Sequence, residues 1–385
     1  MKNLIYFWRL EREKGAHLLP ELQKKFANQN FRLFVFGEGS LKRLFEPFFT
    51  PYTEPDRFEG KPGQKIYFFW WQPKAKIKSW LAHADLTLMP SVVLESFGLS
   101  ALESLAGGVP VVGPAKWGLK ESILPPFDLG SNRAWELQSF LIKIQQVFQG
   151  KINPAEFSSQ AKKMADSYTS EAWFQRFKSL FPHEKKILLV SDFWDPKAWG
   201  IEQHLAAVVK ILQDKGLKVE VLAAPRPKSQ ISKLSQLATS FTNFKSPRVL
   251  QKKLTVLEPD LVRIHSISKY RWPKIFLPLK NYQGKVAITY HDFTLFAPFA
   301  SKLVSENQLP SERELKEFIA SQQPMSLVGK IYAALKFFKN SAIKKRATSL
   351  WDVHIVPSKF MTKTLKIWDV PDEKIKVLPH FYDLP

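Results

Sequence analysis

Short apolar runs alternate with longer charged stretches along the whole chain. "NLIYFW" leads into a charged helical stretch from about Glu13 to Gln29, and "FRLFVFGEG", "KIYFFWW", "DLTLMP" and "VPVVG" follow, separated by helix-like or turn-like sequence. Short β-branched and aromatic runs that alternate with helices predict parallel strands in an open α/β sheet. Near residue 183 the pattern restarts with "KKILLVSDF", an amphipathic helix "GIEQHLAAVVKILQDKG" closed by Gly216, and "KVEVLAA". Further strands are expected at "DLVRIHS", "KVAITYHDF", "DVHIVPS" and "IKVLPH". The expected fold class is α/β, with two Rossmann-like doubly wound domains of similar size and no internal repeat. The boundary is expected at Phe181, Pro182 and His183, after the aromatic helix "EAWFQRFKSL", giving domains 1–183 and 184–385.

Composition narrows the setting. The 385 residues, 45% hydrophobic and 24% charged, suffice for about two folded domains. The absence of cysteine excludes disulfides, thiolate metal sites and a cysteine nucleophile, and fits a reducing compartment. "MKNLIYFWRL" is too short in its apolar run for a signal peptide, and no segment approaches the roughly 20 apolar residues of a membrane span, so a cytoplasmic location is expected. A formal charge of +22 points either to an anionic partner, such as a phosphorylated substrate, nucleic acid or a membrane surface, or to solvated surface lysines.

Chemistry concentrates in "PSVVLESFGLSALESLAGGVPVVG", residues 90–113. A strand, a loop and a helix from about Gly98 or Leu99 to Ala106 place free backbone N–H groups at the carboxyl end of a sheet, where ligands of such folds bind. Gly98 lets an anionic ligand approach the N–H groups of Phe97, Gly98 and Leu99, and the helix adds roughly half a positive charge there. Glu95 precedes the helix and Glu103 lies within it, so the two carboxylates address different parts of one ligand. Each can accept from vicinal sugar hydroxyls. By spacing alone they equally suit a solvated helix residue and an anion at a helix N-terminus.

The segment "ESFGLSALESLAGGVPVVG" resembles the Glu-x7-Glu motif of retaining glycosyltransferases of family four, which have the two-domain GT-B fold. "FWRLEREKGAHLLPEL" is similar to the opening of that family's nucleotide-binding domain, "FRLFVFGEGS" to its glycine-containing second strand, and "KWGLKES" to the loop after the motif. More loosely, "KILLVSDFWDPKAWGIEQHLAAVVKIL", "AITYHDF" and "DVHIVPSKFMTKTL" with "KIKVLPHFYD" resemble its acceptor domain. In the family the acceptor domain comes first, so the domain order here is exchanged, as in a permuted enzyme, a fusion or a fragment.

The resemblance implies that Arg9 and Lys14 bind the donor diphosphate, that Glu103 holds the ribose hydroxyls, that Glu95 meets the transferred sugar, that Gly200 lies in the loop approaching the donor, and that His291 sits beside the sugar. It implies a nucleotide-sugar donor, a glycan or lipid-linked acceptor, retention of configuration, and donor-side residues of one domain facing Gly200 and His291 of the other. No Asp-x-Asp is found and no metal or other cofactor is expected, leaving Arg9, Lys14 and a helix N-terminus to stabilise the leaving group. Trp8, Trp199 and His380 depart from the family's pattern, and a bulky Trp199 would narrow the sugar site. A transferase that keeps the fold but acts as a binding or scaffold protein is therefore the alternative. A dinucleotide enzyme is disfavoured because "FGEGSLKRLF" supplies only G-x-G, and nucleic-acid binding because the charge is spread rather than striped.

Between Phe318 and Trp351 there is no acidic residue, while Lys330, Lys336, Lys339, Lys344, Lys345 and Arg346 are basic. Leu327, Ile331, Ala334, Leu335, Phe338 and Ala342 fall on one helical face, which suits an interfacial helix at an anionic membrane as well as it suits a core helix with a basic edge.

Overall fold

A computed structural model of the chain describes residues 1–93, 95–130, 137–194, 201–225, 245–266, 276–293, 295, 331, 334–335 and 350–382. The chain divides into unit 1, Met1–Ala172 with His380–Pro385, and unit 2, Trp173–Pro379. Relative to the boundary expected at 181–183, most of the aromatic helix goes with the second unit, and the last residues return to the first.

In unit 1 the strands are β1 (Lys2–Phe7), β2 (Phe31–Phe36), β3 (Ile66–Phe69), β4 (Leu86–Leu88) and β5 (Val111–Val112). They form one parallel sheet in the order β3-β2-β1-β4-β5. Successive strand residues feed opposite cores. Leu4, Tyr6, Leu33, Val35, Ile66 and Phe68 join one buried cluster, and Ile5, Phe7, Phe34, Phe36, Tyr67 and Phe69 the other. Both faces are covered, so the strands read as unbroken apolar runs. The helices are α1 (Leu19–Lys25), α2 (Lys74–Leu81), α3 (Leu99–Ala106), α4 (Leu137–Phe148) and α5 (Ser158–Asp166).

The stretch from Glu13 to Gln29 is not one helix. Two 3₁₀ turns, Arg12–Lys14 and Ala16–Leu18, precede α1 because Gly15 between them takes a left-handed φ of 72°. A β-carbon on Gly15 would collide with the Pro90 carbonyl, so only glycine lets the two loops approach.

In unit 2 the strands β6 (Lys186–Trp194), β7 (Lys218–Pro225), β8 (Leu261–Ser266), β9 (Lys285–Thr289), β10 (Val353–Val356) and β11 (Ile375–Val377) form a parallel sheet ordered β11-β10-β9-β8-β6-β7. Its helices are α6 (Ser170–Leu180), which begins at the end of unit 1's first segment, α7 (Ile201–Asp214), α8 (Lys245–Leu257), α9 (Phe276–Leu279) and α10 (Lys359–Ile367). The Asp260 carboxylate fixes the start of β6 by accepting from the N–H groups of Lys185 and Lys186, both at 2.8 Å. The two sheets establish the α/β class with two parallel-sheet domains, and all eleven strands expected from the apolar runs are present.

Candidate active site

The chain in unit 1 builds outward from β1 to β3, then restarts on the other side of β1 with β4 and β5. The connections that leave the carboxyl ends of β1 and β4 therefore lead to strands on opposite sides, a switch point of the kind at which open α/β sheets bind ligands. Trp8, Arg9 and Lys14 follow β1, and Pro90, Ser91 and Glu95 follow β4. The two loops are tied together by the Val92 N–H donating to the Glu13 carbonyl at 2.9 Å.

Lys14 and Glu95 form an ion pair at this switch point, each side chain only 9% exposed. The Ser91 hydroxyl donates to the same Glu95 oxygen, Oε1, at 2.6 Å. Trp8 lies with its ring 4.6 Å from the Lys14 ammonium, so the tryptophan that departs from the family's glycine forms a wall of the lysine site. Gly118, in the loop after the motif, donates its N–H to the Glu95 carbonyl at 2.9 Å. Arg9 differs from Lys14: its side chain is 54% exposed, 3.4 Å from Glu13.

The motif helix α3 starts at Leu99, as the pattern predicts, with Gly98 before it at φ 95° and no side-chain cap on its first N–H groups. Phe97 is in the core, its ring 5.5 Å from Tyr168 and 5.4 Å from His380, which leaves its backbone as the part available to a ligand. Glu103 is 8% exposed, and Lys74, the first residue of α2, reaches its Oε1 at 2.7 Å. Arg9, Lys14, Glu95, Phe97, Gly98, Leu99 and Glu103 thus all lie on loops or on α3 beyond the carboxyl ends of β1 and β4.

His291 lies in unit 2, two residues past β9, and is 8% exposed. Its Nε2 is 2.9 Å from Nδ1 of His265, which lies near the end of β8. Burial, and then the Arg263 cation, push its pKa from the ordinary 6.5 down to about 3, so it is a neutral imidazole at physiological pH. Arg263 itself is 1% exposed, bonded through Nε to Thr289 Oγ1 at 2.9 Å, and its pKa is lowered by burial to about 9. Ser191, Asp192, Glu202 and His204 are further buried polar residues on or after β6. Gly200 and Trp199 lie outside the described residues. So does the 318–351 stretch except Ile331, Ala334, Leu335, Leu350 and Trp351. Among the described residues no group of three or more His, Cys, Asp or Glu is arranged to hold a metal ion, and no helix is long and apolar enough to cross a membrane.

Residues 2–164 match the family model described as glycosyl transferases group 1. This segment is similar to glycosyl transferases group 1 domains. It takes in the sheet, the switch point and the motif helix of unit 1 and ends before unit 2. Over 123 residues the chain is 29% identical to the uncharacterised glycosyltransferase MJ1607 of Methanocaldococcus jannaschii. That match covers 32% of this chain and spans 29% of the relative's own length. Among solved structures, the pneumococcal O-GlcNAc transferase GtfA in complex with UDP and GlcNAc is 18% identical, with a TM-score of 0.37 over 47% of this chain and 35% of that one. Anabaena HepE in complex with UDP and glucose is 18% identical, with a TM-score of 0.32 over 43% of each chain. The C-terminal domain of the group 1 transferase LpcC from Francisella tularensis is 16% identical, with a TM-score of 0.34 over 43% of this chain and 85% of that one.

Sequence reasoning did not single out Ser91, Lys74, His265 or Arg263. Ser91 and Lys74 are ordinary residues until folding sets them against the two motif carboxylates. A signal for the other two was present, because "DLVRIHS" puts an arginine and a histidine on one face of an otherwise apolar strand.

Proposed function

We propose that the protein is a retaining hexosyltransferase that moves a sugar from a nucleoside diphosphate sugar to a glycan or lipid-linked acceptor without a metal ion. The observation that carries this reading is the buried Lys14–Glu95 pair at the switch point of the segment that matches the glycosyl transferases group 1 model. An ammonium has three donors, and Glu95 takes one. Lys14 can therefore give another to a phosphate oxygen while Glu95 offers its second oxygen, Oε2, to a hydroxyl of the transferred sugar. Glu103 would accept in the same way from ribose hydroxyls while Lys74 holds its Oε1.

As the bond from the anomeric carbon to the diphosphate breaks, negative charge grows on the departing oxygens. Arg9, Lys14 and the uncapped N–H groups at the start of α3 would stabilise that charge from positions already set by the fold. His291 is the proposed catalytic histidine of unit 2, neutral and hydrogen bonding, and Gly200 is the residue proposed to let backbone approach the donor. With no carboxylate assigned as a covalent nucleophile, entry of the acceptor on the face that the leaving group vacates accounts for retention.

A panel of UDP-, GDP- and ADP-sugars tests the reading. The matching donor should raise the melting temperature by mass action and be turned over in the presence of a chelator. A stabilising donor that no acceptor consumes would favour a binding or scaffold role. The unit order is part of the proposal, and specific activity independent of protein concentration would support one chain working alone. Contact of the 318–351 stretch with anionic lipid is a further part. Sedimentation with anionic vesicles at low salt, lost as salt rises, supports it, and equal binding to neutral vesicles opposes the role of charge.

A further inference from the structure

Unit 2 carries a column of polar side chains on one face of its sheet. Arg263 and His265 are two apart on β8 and share a face, as do Thr289 and His291 on β9 and just beyond it. The ladder pairs Arg263 with Ala287 and Ile264 with Ile288. The Arg263 bond to Thr289 therefore reaches two residues past its ladder partner. The His265–His291 contact repeats that diagonal step two residues further along both strands. The two imidazoles lie at 23° to each other with centroids 5.1 Å apart. His204 of α7 meets His291 edge-on at 5.8 Å.

A nitrogen–nitrogen hydrogen bond needs one N–H and one lone pair, and a neutral imidazole owns one of each. The tautomer of either ring therefore dictates that of the other. His265 and His291 are 3% and 8% exposed, so water competes little for these atoms. Arg263 sits beneath them, its guanidinium carbon 5.5 Å from the Trp173 ring and 5.9 Å from the Phe177 ring. Its fixed positive charge disfavours protonation of His291.

We propose that His265 is a positioning residue that fixes the ring plane and the neutral tautomer of His291 through the Nδ1–Nε2 hydrogen bond. Its bearing on catalysis rests on the transferase reading, whereas the locked tautomer is a property of the resting protein. Two coupled tautomer pairs satisfy this bond, and the Arg263 cation at one end of the column separates them in energy, so that Nδ1 of His291 keeps one polarity, donor or acceptor. A sugar hydroxyl approaching that atom then meets one hydrogen-bonding pattern rather than a mixture.

The test is long-range ¹H–¹⁵N NMR of the full chain with ¹⁵N-labelled histidine, His291 being assigned by the signals lost in His291→Asn. Wild type should show one neutral tautomer of His291 at neutral pH, and His265→Leu should show both. His265→Asn, whose amide falls near the place of ring Nδ1, should restore a single form, while His265→Gln, whose amide falls near Nε2, should not. A mixture in wild type, or an unchanged single tautomer in His265→Leu, overturns the proposal. If the leucine variant does not fold, identical His291 spectra in the asparagine and glutamine variants overturn it instead. Where a donor is turned over, His265→Leu should lower kcat about tenfold with little change in donor KM, and His265→Asn should recover most of it. If no donor is turned over, the transferase reading fails while the NMR result still decides the pair.

Discussion

Acidification from about pH 7 to about pH 5 should weaken unit 2 more than unit 1, because two of its histidines, His291 and His354, are folded in the neutral form with far lower pKa values, whereas in unit 1 burial and Arg12 lower that of His17. Burial and the Arg263 cation bring His291 from 6.5 down to about 3. Burial and Lys374 bring His354 from 6.5 to about 4, its Nδ1 facing the Tyr290 hydroxyl at 3.0 Å. Below 6.5 each imidazole takes up a proton in the unfolded chain but not in the folded one, so the stability present above that pH is lost as the pH falls toward the folded values. At about 1.4 kcal/mol per pH unit, each histidine accounts for about 2 kcal/mol at pH 5, and the two together for about 4. Staying at or above pH 5 keeps clear of Glu184 and Asp260, whose lowered carboxyl pKa values stabilise the fold above their ordinary 4.5 and 3.8. Hydrogen-exchange mass spectrometry across a urea series gives the opening free energy separately for peptides from β9 and β10 and, as the comparison, from β1 and β2. His354→Gln should remove about half of the pH dependence in unit 2. The reasoning is refuted if the β9 and β10 peptides lose no more stability than those of β1 and β2, or if His354→Gln leaves the slope unchanged.

Lys14→Met should cost about 3–5 kcal/mol by leaving Glu95 buried without its cation, and adding Glu95→Gln should recover much of that in a urea titration. Gly15→Ala should lower the melting temperature and weaken donor binding together, since the left-handed φ and the Pro90 carbonyl oppose a β-carbon by about 1–3 kcal/mol. Glu103→Gln should raise donor KM more than it lowers kcat, whereas Arg9→Ala should lower kcat; unchanged steady-state kinetics in both would remove these residues from the site.

The strands were legible because each is a short apolar run buried on both faces, and α3 because Gly98 precedes an apolar repeat that Gly107 and Gly108 end. The extent of the helix after Glu13 was not legible. Its amphipathic pattern continues through Gly15, and only the approach of Pro90 from a distant loop reveals why the backbone turns there. The motif carboxylates were found by their spacing, but their partners were not. Lys14 and Glu95 are 81 positions apart, and nothing local to either announces a mutual ion pair. Likewise the histidine of "AITYHDF" stood out, whereas its partner in "DLVRIHS" became meaningful only once β8 and β9 were adjacent.

The chain leaves unit 1 after Ala172 and returns to it at His380. On return, the His380 ring packs against Phe97 and the Tyr382 N–H bonds to the Tyr168 carbonyl at 3.2 Å. On the ribosome, then, β1 through α5 emerge early, yet the support behind the residue next to Gly98 arrives only after all of Trp173–Pro379 has been made. Unit 1 must wait with one side of Phe97 uncovered, so nascent chains halted before His380 should be cleaved around the motif loop by a protease that spares the finished protein.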